Sequence, residues 1–156
     1  NRYFPFSSVE LFLSSENTLM INAPLVCDDT LQTNDIARIY PDGSFTILGR
    51  KDNVINSGGI KVQAEEIERL LQSSIPVPFV ITSVPDRRLG QAVTLLIEGQ
   101  MEISALGTKL ESVLASYYRP KYIYTVNHIP QTGNGKINRK ECRVLAESLQ
   151  LLGRQE

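Results

Sequence analysis

Cysteine is scarce in this chain, histidine scarcer, and long apolar runs are missing. The two cysteines, Cys27 and Cys142, lie far apart and in no CxxC spacing. That excludes a disulfide scaffold and a cysteine-built zinc site, and implies two buried or half-buried thiols in a reducing, cytoplasmic compartment. The single histidine, His128, has no supporting cluster, so neither a metal centre nor a Ser-His-Asp triad is expected around it. No apolar run approaches the ~20 residues of a membrane span, and no basic-then-apolar leader opens the chain. Sixteen basic against seventeen acidic residues leave a net charge of −1, with no global pull toward nucleic acid or anionic membrane. The composition that remains, 42% hydrophobic and 21% charged over 156 residues, is that of a folded chain. This length suits one ordinary core, or one domain and a portion of another. It opens on Asn1 rather than Met, which suggests a natural start elsewhere.

The hydrophobic period changes along the chain. Val9–Leu13, Leu19–Ile21, Ile36–Tyr40 and Ser44–Leu48 are short β-prone runs, the last two joined by the turn Pro41-Asp42-Gly43. From Val62 to Ser74 the spacing of Ile67, Leu70 and Leu71 predicts a helix, with Glu65 and Glu66 in its dipole-favoured first turn. Strands are expected at Phe79–Val84, Ala92–Glu98 and Tyr122–Val126. A helix is expected at Ile103–Tyr117, its stripe running Leu106, Leu110, Val113, Leu114 and Tyr117. A last helix follows Asn138, with Glu141 completing a capping-box-like pair. Strands and helices alternate here, so the expected fold is α+β: a small domain with helices flanking a mixed sheet, preceded by a β-rich segment. The boundary falls near Gly49–Asp52, giving parts 1–50 and 51–156.

Three polar stretches interrupt this pattern. Thr33-Asn34-Asp35 stands just before a strand. Residues 49–61 read Gly-Arg-Lys-Asp-Asn-Val-Ile-Asn-Ser-Gly-Gly-Ile-Lys, and residues 130–137 read Pro-Gln-Thr-Gly-Asn-Gly-Lys-Ile. The last is no Walker A loop: Pro130 replaces the first glycine, and Ile137 the Ser or Thr after the lysine. Between Arg119 and Arg143 six basic residues meet one acidic, a local +5. A solvated basic turn would account for this, as would a mobile loop that aims the Lys136 ammonium at an anion. Arg50, Lys51 and Asp52 could form no more than an ion-paired turn. Gly58-Gly59 permits a close backbone approach, by a strand or by a ligand.

Taken together, TND (33–35), GRKDNVINSGGIKVQAEEIE (49–68) and PQTGNGKINR (130–139) resemble, in order and spacing, the late motifs of the adenylate-forming superfamily. These are the acyl-CoA synthetases, the adenylation domains of peptide synthetases, and the luciferases. The resemblance implies that Asp35 binds the ribose hydroxyls of ATP and that Arg50 holds the nucleotide. Asp52 is the implied hinge of a mobile C-terminal domain. Lys136 would bridge the acyl carboxylate and α-phosphate during adenylation. Ser57, Gly58 and Gly59 would line the pantetheine tunnel of CoA. Asn34 departs from the family's usual glycine but leaves the acid in place.

It further implies that residues 1–50 are the β-rich tail of a large N-terminal domain and 51–156 the C-terminal lid. ATP, CoA and a small carboxylic acid are the implied substrates, and Mg2+ is expected mainly on the missing N-terminal domain. The family's Ser/Thr/Gly-rich phosphate loop and its aromatic-Gly-x-Thr-Glu motif are not found upstream, so this piece alone is expected not to adenylate. The wording of residues 52–61 is most similar to bacterial o-succinylbenzoate-CoA ligases of menaquinone synthesis. Fatty acyl-CoA synthetases and carrier-protein-loading adenylation domains are the alternatives. In a different class stands a non-catalytic interaction module, against which the joint presence of Asp35, Arg50, Asp52 and Lys136 argues.

Overall fold

The computed structural model describes residues 1–101 and 103–153, and the chain divides into two compact units, Asn1–Val54 and Ile55–Glu156. In the first, β1 (Glu10–Leu13), β2 (Thr18–Asn22), β3 (Leu31–Ile39) and β4 (Phe45–Arg50) form an antiparallel sheet in that order. At the β3–β4 turn, Gly43 takes the positive φ (79°) that the Pro-Asp-Gly sequence anticipates. The Asp42 carboxylate accepts from the Ser44 hydroxyl (2.6 Å) and amide (3.0 Å), and these bonds hold its pKa below the usual value. Thr33-Asn34-Asp35 does not precede a strand but lies within β3. Thr33 donates from Oγ1 to the Leu19 carbonyl (2.8 Å) and accepts from the Asp35 amide (3.1 Å), so its hydroxyl serves the sheet instead of a loop.

Across the boundary, β5 (Val54–Ser57) and β6 (Ile60–Gln63) form a hairpin where the sequence predicts a polar loop and the start of a helix. Gly58 and Gly59, at φ 61° and 86°, form the two-residue turn that needs positive φ at both positions. Helix α1 therefore starts at Ala64 and runs to Leu71. It is followed by β7 (Phe79–Asp86), β8 (Gly90–Glu98), α2 (Ile103–Val113), β9 (Tyr122–Val126) and α3 (Arg139–Leu152). Helix α2 ends short of Tyr117. Ser116–Tyr118 form a 3-10 turn, and Arg119, ahead of Pro120, is extended as a residue before proline prefers. Tyr117, expected on the buried stripe, is exposed.

The sheet is mixed: β8 pairs antiparallel with β7 and parallel with β9, while Ser57 of β5 pairs with Gly90. Helices cover both its faces. Ile81, Val93, Leu95 and Ile97 pack with Ile67, Leu71, Leu106 and Leu110 from α1 and α2. Val80, Val84, Ala92 and Leu96 pack on the other face with Cys142 and Ala146 of α3. Burial on both sides is why β7 and β8 read as nearly continuous apolar runs. Cys142 is buried as expected, and burial pushes its thiol up to about 11; Cys27, by contrast, is exposed. No described helix is long and apolar enough to cross a membrane.

Candidate functional site

The expected site residues fall into three local arrangements, one in the first unit and two in the second. In the first unit the β3–β4 register sets Asp35 opposite Arg50. The Arg50 guanidinium lies 3.4 Å from Asp35 Oδ1 through Nη1 and 3.4 Å from Asp52 Oδ2 through Nη2. Asp52 belongs to a 3-10 turn, Lys51–Asn53, that closes this unit, and neighbouring Lys51 pairs with Glu16 at 2.6 Å. Three residues separated in sequence thus form one half-exposed cluster of two carboxylates and a fork of donors. Such a set can accept from hydroxyls and donate to anionic oxygens.

The Ser57-Gly58-Gly59 turn rests on the β7–β8 turn. The Gly58 amide donates to the Leu89 carbonyl (2.9 Å), and a Cβ added at Gly58 would stand 3.1 Å from Leu89 Cδ2. The Asn56 amide donates to Gln91 Oε1 (2.8 Å). Asp86, which the sequence reading took only as part of a turn, organises this support. Its carboxylate accepts from Lys121 Nζ (2.5 Å), Tyr122 OH (3.1 Å) and the amides of Arg88 (2.9 Å) and Leu89 (3.1 Å). The Lys121 bond, opposed by burial and aided by the two amides, holds the Asp86 carboxyl well below the usual carboxylate range. Asp86 in turn raises Lys121. The Asp-Arg-Arg-Leu-Gly run between two strands was the available signal for this turn.

Lys136 projects from the loop between β9 and α3. The loop is a small hairpin, with Gln131 bridged to Ile137. The Thr132 amide donates to the Lys136 carbonyl (2.7 Å), Gly135 to Thr132 (2.9 Å) and Asn138 to Pro130 (2.9 Å). Gly135 adopts φ 75°, and Asn138 caps α3 by accepting from the Glu141 amide (3.3 Å). The backbone at Lys136 is therefore fixed, while its side chain is exposed and, among the described residues, has no hydrogen bond or ion pair. An ammonium so placed is available to an anion.

His128 is 88% exposed and 3.8 Å from Glu98, a surface residue. It lines an open hollow of about 560 Å³ with Gly99, Gln100 and Thr125–Asn127, which contains none of the expected site residues. Among the described residues no group of three His, Cys, Asp or Glu could hold a metal ion.

No family model matches the chain. It is 38% identical over 126 residues to triostin synthetase I of Streptomyces triostinicus, covering 78% of this chain and 24% of that protein. It is 33% identical over 113 residues to the 2-succinylbenzoate–CoA ligase of Lactococcus lactis, covering 72% of this chain and 25% of that protein. The crystal structure of coronafacic acid ligase from Pectobacterium brasiliense shares the fold, with a TM-score of 0.76 at 24% identity over 97% of this chain and 33% of that one. The chain spans about a quarter of the length of the curated relatives it matches. The motifs, the mixed sheet with its flanking helices and these likenesses agree: the chain belongs to the adenylate-forming superfamily.

Proposed function

We propose that this chain works as the C-terminal part of an ATP-dependent carboxylate–CoA ligase, residues 51–156 being its mobile lid. In the first half-reaction a carboxylate oxygen attacks the α-phosphorus of ATP; acyl-adenylate forms and pyrophosphate leaves. In the second, the CoA thiolate attacks the acyl carbon, a thioester forms and AMP leaves. The observation that carries the reading is Lys136: an ammonium without a partner among the described residues, on a backbone-fixed loop. It is suited to stabilising charge that develops on the carboxylate and α-phosphate oxygens. Asp35 is assigned to the ribose hydroxyls and Arg50 to the nucleotide. Asp52 is assigned to the hinge, and its place in the 3-10 turn just before Val54 supports that role. Ser57, Gly58 and Gly59 are assigned to the pantetheine passage.

For the acid substrate we propose o-succinylbenzoate, supported by the residue 52–61 wording and by the Lactococcus lactis relative. The reading also places the protein in the cytoplasm, where the free thiols Cys27 and Cys142 stay reduced. The test is Lys136→Ala in the full-length ligase, with each half-reaction assayed separately. Adenylation, followed by pyrophosphate exchange, should fall about 10²–10³-fold. Thioester formation from supplied acyl-adenylate should be kept. Equal loss of both, or of neither, would overturn the assignment.

A further inference from the structure

The second and third motifs each end on a charged residue to which the proposed chemistry gives no work: Glu68 and Arg139. The structure brings them together across 71 residues of sequence. Arg139, the first residue of α3, forks onto the Glu68 carboxylate of α1, with Nη2–Oε2 at 2.7 Å and Nη1–Oε1 at 3.0 Å. Glu65 Oε1 stands 4.0 Å from the same guanidinium. The pair also closes the free edge of β7. Glu68 Oε1 accepts from the Ile81 amide (2.9 Å), and Arg139 Nη1 donates to the Ile81 carbonyl (3.3 Å). Two side chains thus stand in for the missing neighbour strand at that point. All three acidic and basic side chains are largely buried, at 26% exposure for Arg139, 22% for Glu65 and 17% for Glu68. A planar guanidinium in a two-point fork has a fixed direction as well as a charge.

The consequence lies three residues upstream. Among the described residues, the hydrogen bonds of 131–137 run within the loop, and that of the Asn138 amide runs back to Pro130. The loop is internally braced but is held to the body of the unit only at its ends. At its C-terminal end Asn138 is tied into α3 by the Glu141 and Cys142 amides, and Arg139 ties that end across to α1 and β7. We propose that the Arg139–Glu68 fork is the positioning device for Lys136, a brace that fixes where the loop, and hence the ammonium, stands relative to the sheet. The inference rests on the reading of Lys136 given above, and Arg139 acts through Lys136 without touching substrate.

The test uses Arg139→Lys, which keeps the charge and loses the fork, and Glu68→Gln, which keeps an acceptor for the Ile81 amide and loses the charged fork. Both are made in the full-length ligase, beside Lys136→Ala. Arg139→Lys should lower the turnover of adenylation by up to about a hundredfold, the cost of a small misplacement of a reacting group. The ATP KM and thioester formation from supplied acyl-adenylate should hold, the latter reporting an intact lid. Glu68→Gln should lower adenylation in the same direction, with thioester formation from supplied acyl-adenylate likewise kept. Equal loss in both half-reactions, or no loss, would overturn the proposal. Amide hydrogen exchange in the 156-residue chain separates it from the reading it rests on. Arg139→Lys should accelerate exchange at Thr132, Gly135 and Asn138, and unchanged exchange there overturns the brace whatever Lys136→Ala does. Adenylation that survives Lys136→Ala overturns the catalytic reading of the lysine instead.

Discussion

The two units differ in what they bury. In the second, two apolar layers sandwich a sheet whose Leu95, Leu96 and Ile97 are wholly inaccessible. In the first, Leu19 and Ala37 are the buried apolar residues, while Phe4, Phe6, Leu25 and Val26 stand 71–86% exposed. A single four-stranded sheet gains little from so small a core. The second unit carries its own fold and the Lys136 loop; the first carries Asp35 and Arg50 on a scaffold poor in burial.

The largest effect that could break this comparison is excision. Residues 55–156 produced alone should unfold in one cooperative transition, whereas residues 1–54 alone should show no native baseline in thermal or urea unfolding. A cooperative transition for 1–54 would mean that its few buried residues suffice. The next test is a matched pair of truncations within the whole chain. Leu96→Ala removes a side chain buried between β8 and α3 and should cost about 2–5 kcal/mol. Leu25→Ala, at 82% exposure, should stay within about 0.5 kcal/mol. Similar losses at the two positions would erase the distinction.

A smaller effect comes from the ion pair beneath the glycine turn. Asp86 is depressed in the folded unit, chiefly by Lys121, so it contributes stability above the unfolded carboxylate value of about 3.9. That contribution is lost progressively as pH falls from there toward the folded value. Lys121 is raised by the same bond, so its contribution is full below the ordinary lysine pKa and is lost as pH rises through the folded value. Melting of residues 55–156 between about pH 5 and about pH 2.5, on either side of the unfolded carboxylate value, should show a weaker acid loss in Asp86→Asn than in the parent. Parallel acid limbs would remove Asp86 from that role.

What could be read in advance follows the range of the interactions. Local chemistry was legible: the Pro41-Asp42-Gly43 turn, the Asn138 cap three residues before Glu141, and the apolar runs of β7 and β8 all declare themselves within a few residues. The β5–β6 hairpin was missed although Gly58-Gly59 is its ordinary signal, because a polar run between two glycine-bearing motifs reads as loop. Thr33-Asn34-Asp35 was set outside β3 because its hydroxyl bond to Leu19, 14 residues away, is what keeps it in the sheet. Asp86 meets Lys121 across 35 residues and Glu68 meets Arg139 across 71, distances over which spacing carries no period. The motif residues themselves were legible only as a set; the Asp35–Arg50–Asp52 contacts needed the strand register.

The smallest expected change on stability is at the residue assigned the largest chemical role. Arg50 has its charge engaged by Asp35 and Asp52, and Lys121 by Asp86, so removing either leaves a carboxylate short of a donor. Lys136 leaves nothing short. Its side chain is exposed, and its backbone bonds, which close the loop through the Thr132 amide, survive substitution. Lys136→Ala should therefore shift the unfolding free energy of residues 55–156 by no more than about 0.5 kcal/mol in urea titration. A loss well beyond that would mean that the ammonium is engaged with its own fold in solution, and it would then be a structural residue that happens to carry a charge. No loss, together with the fall in adenylation proposed above, is the combination expected of a group kept free for a substrate.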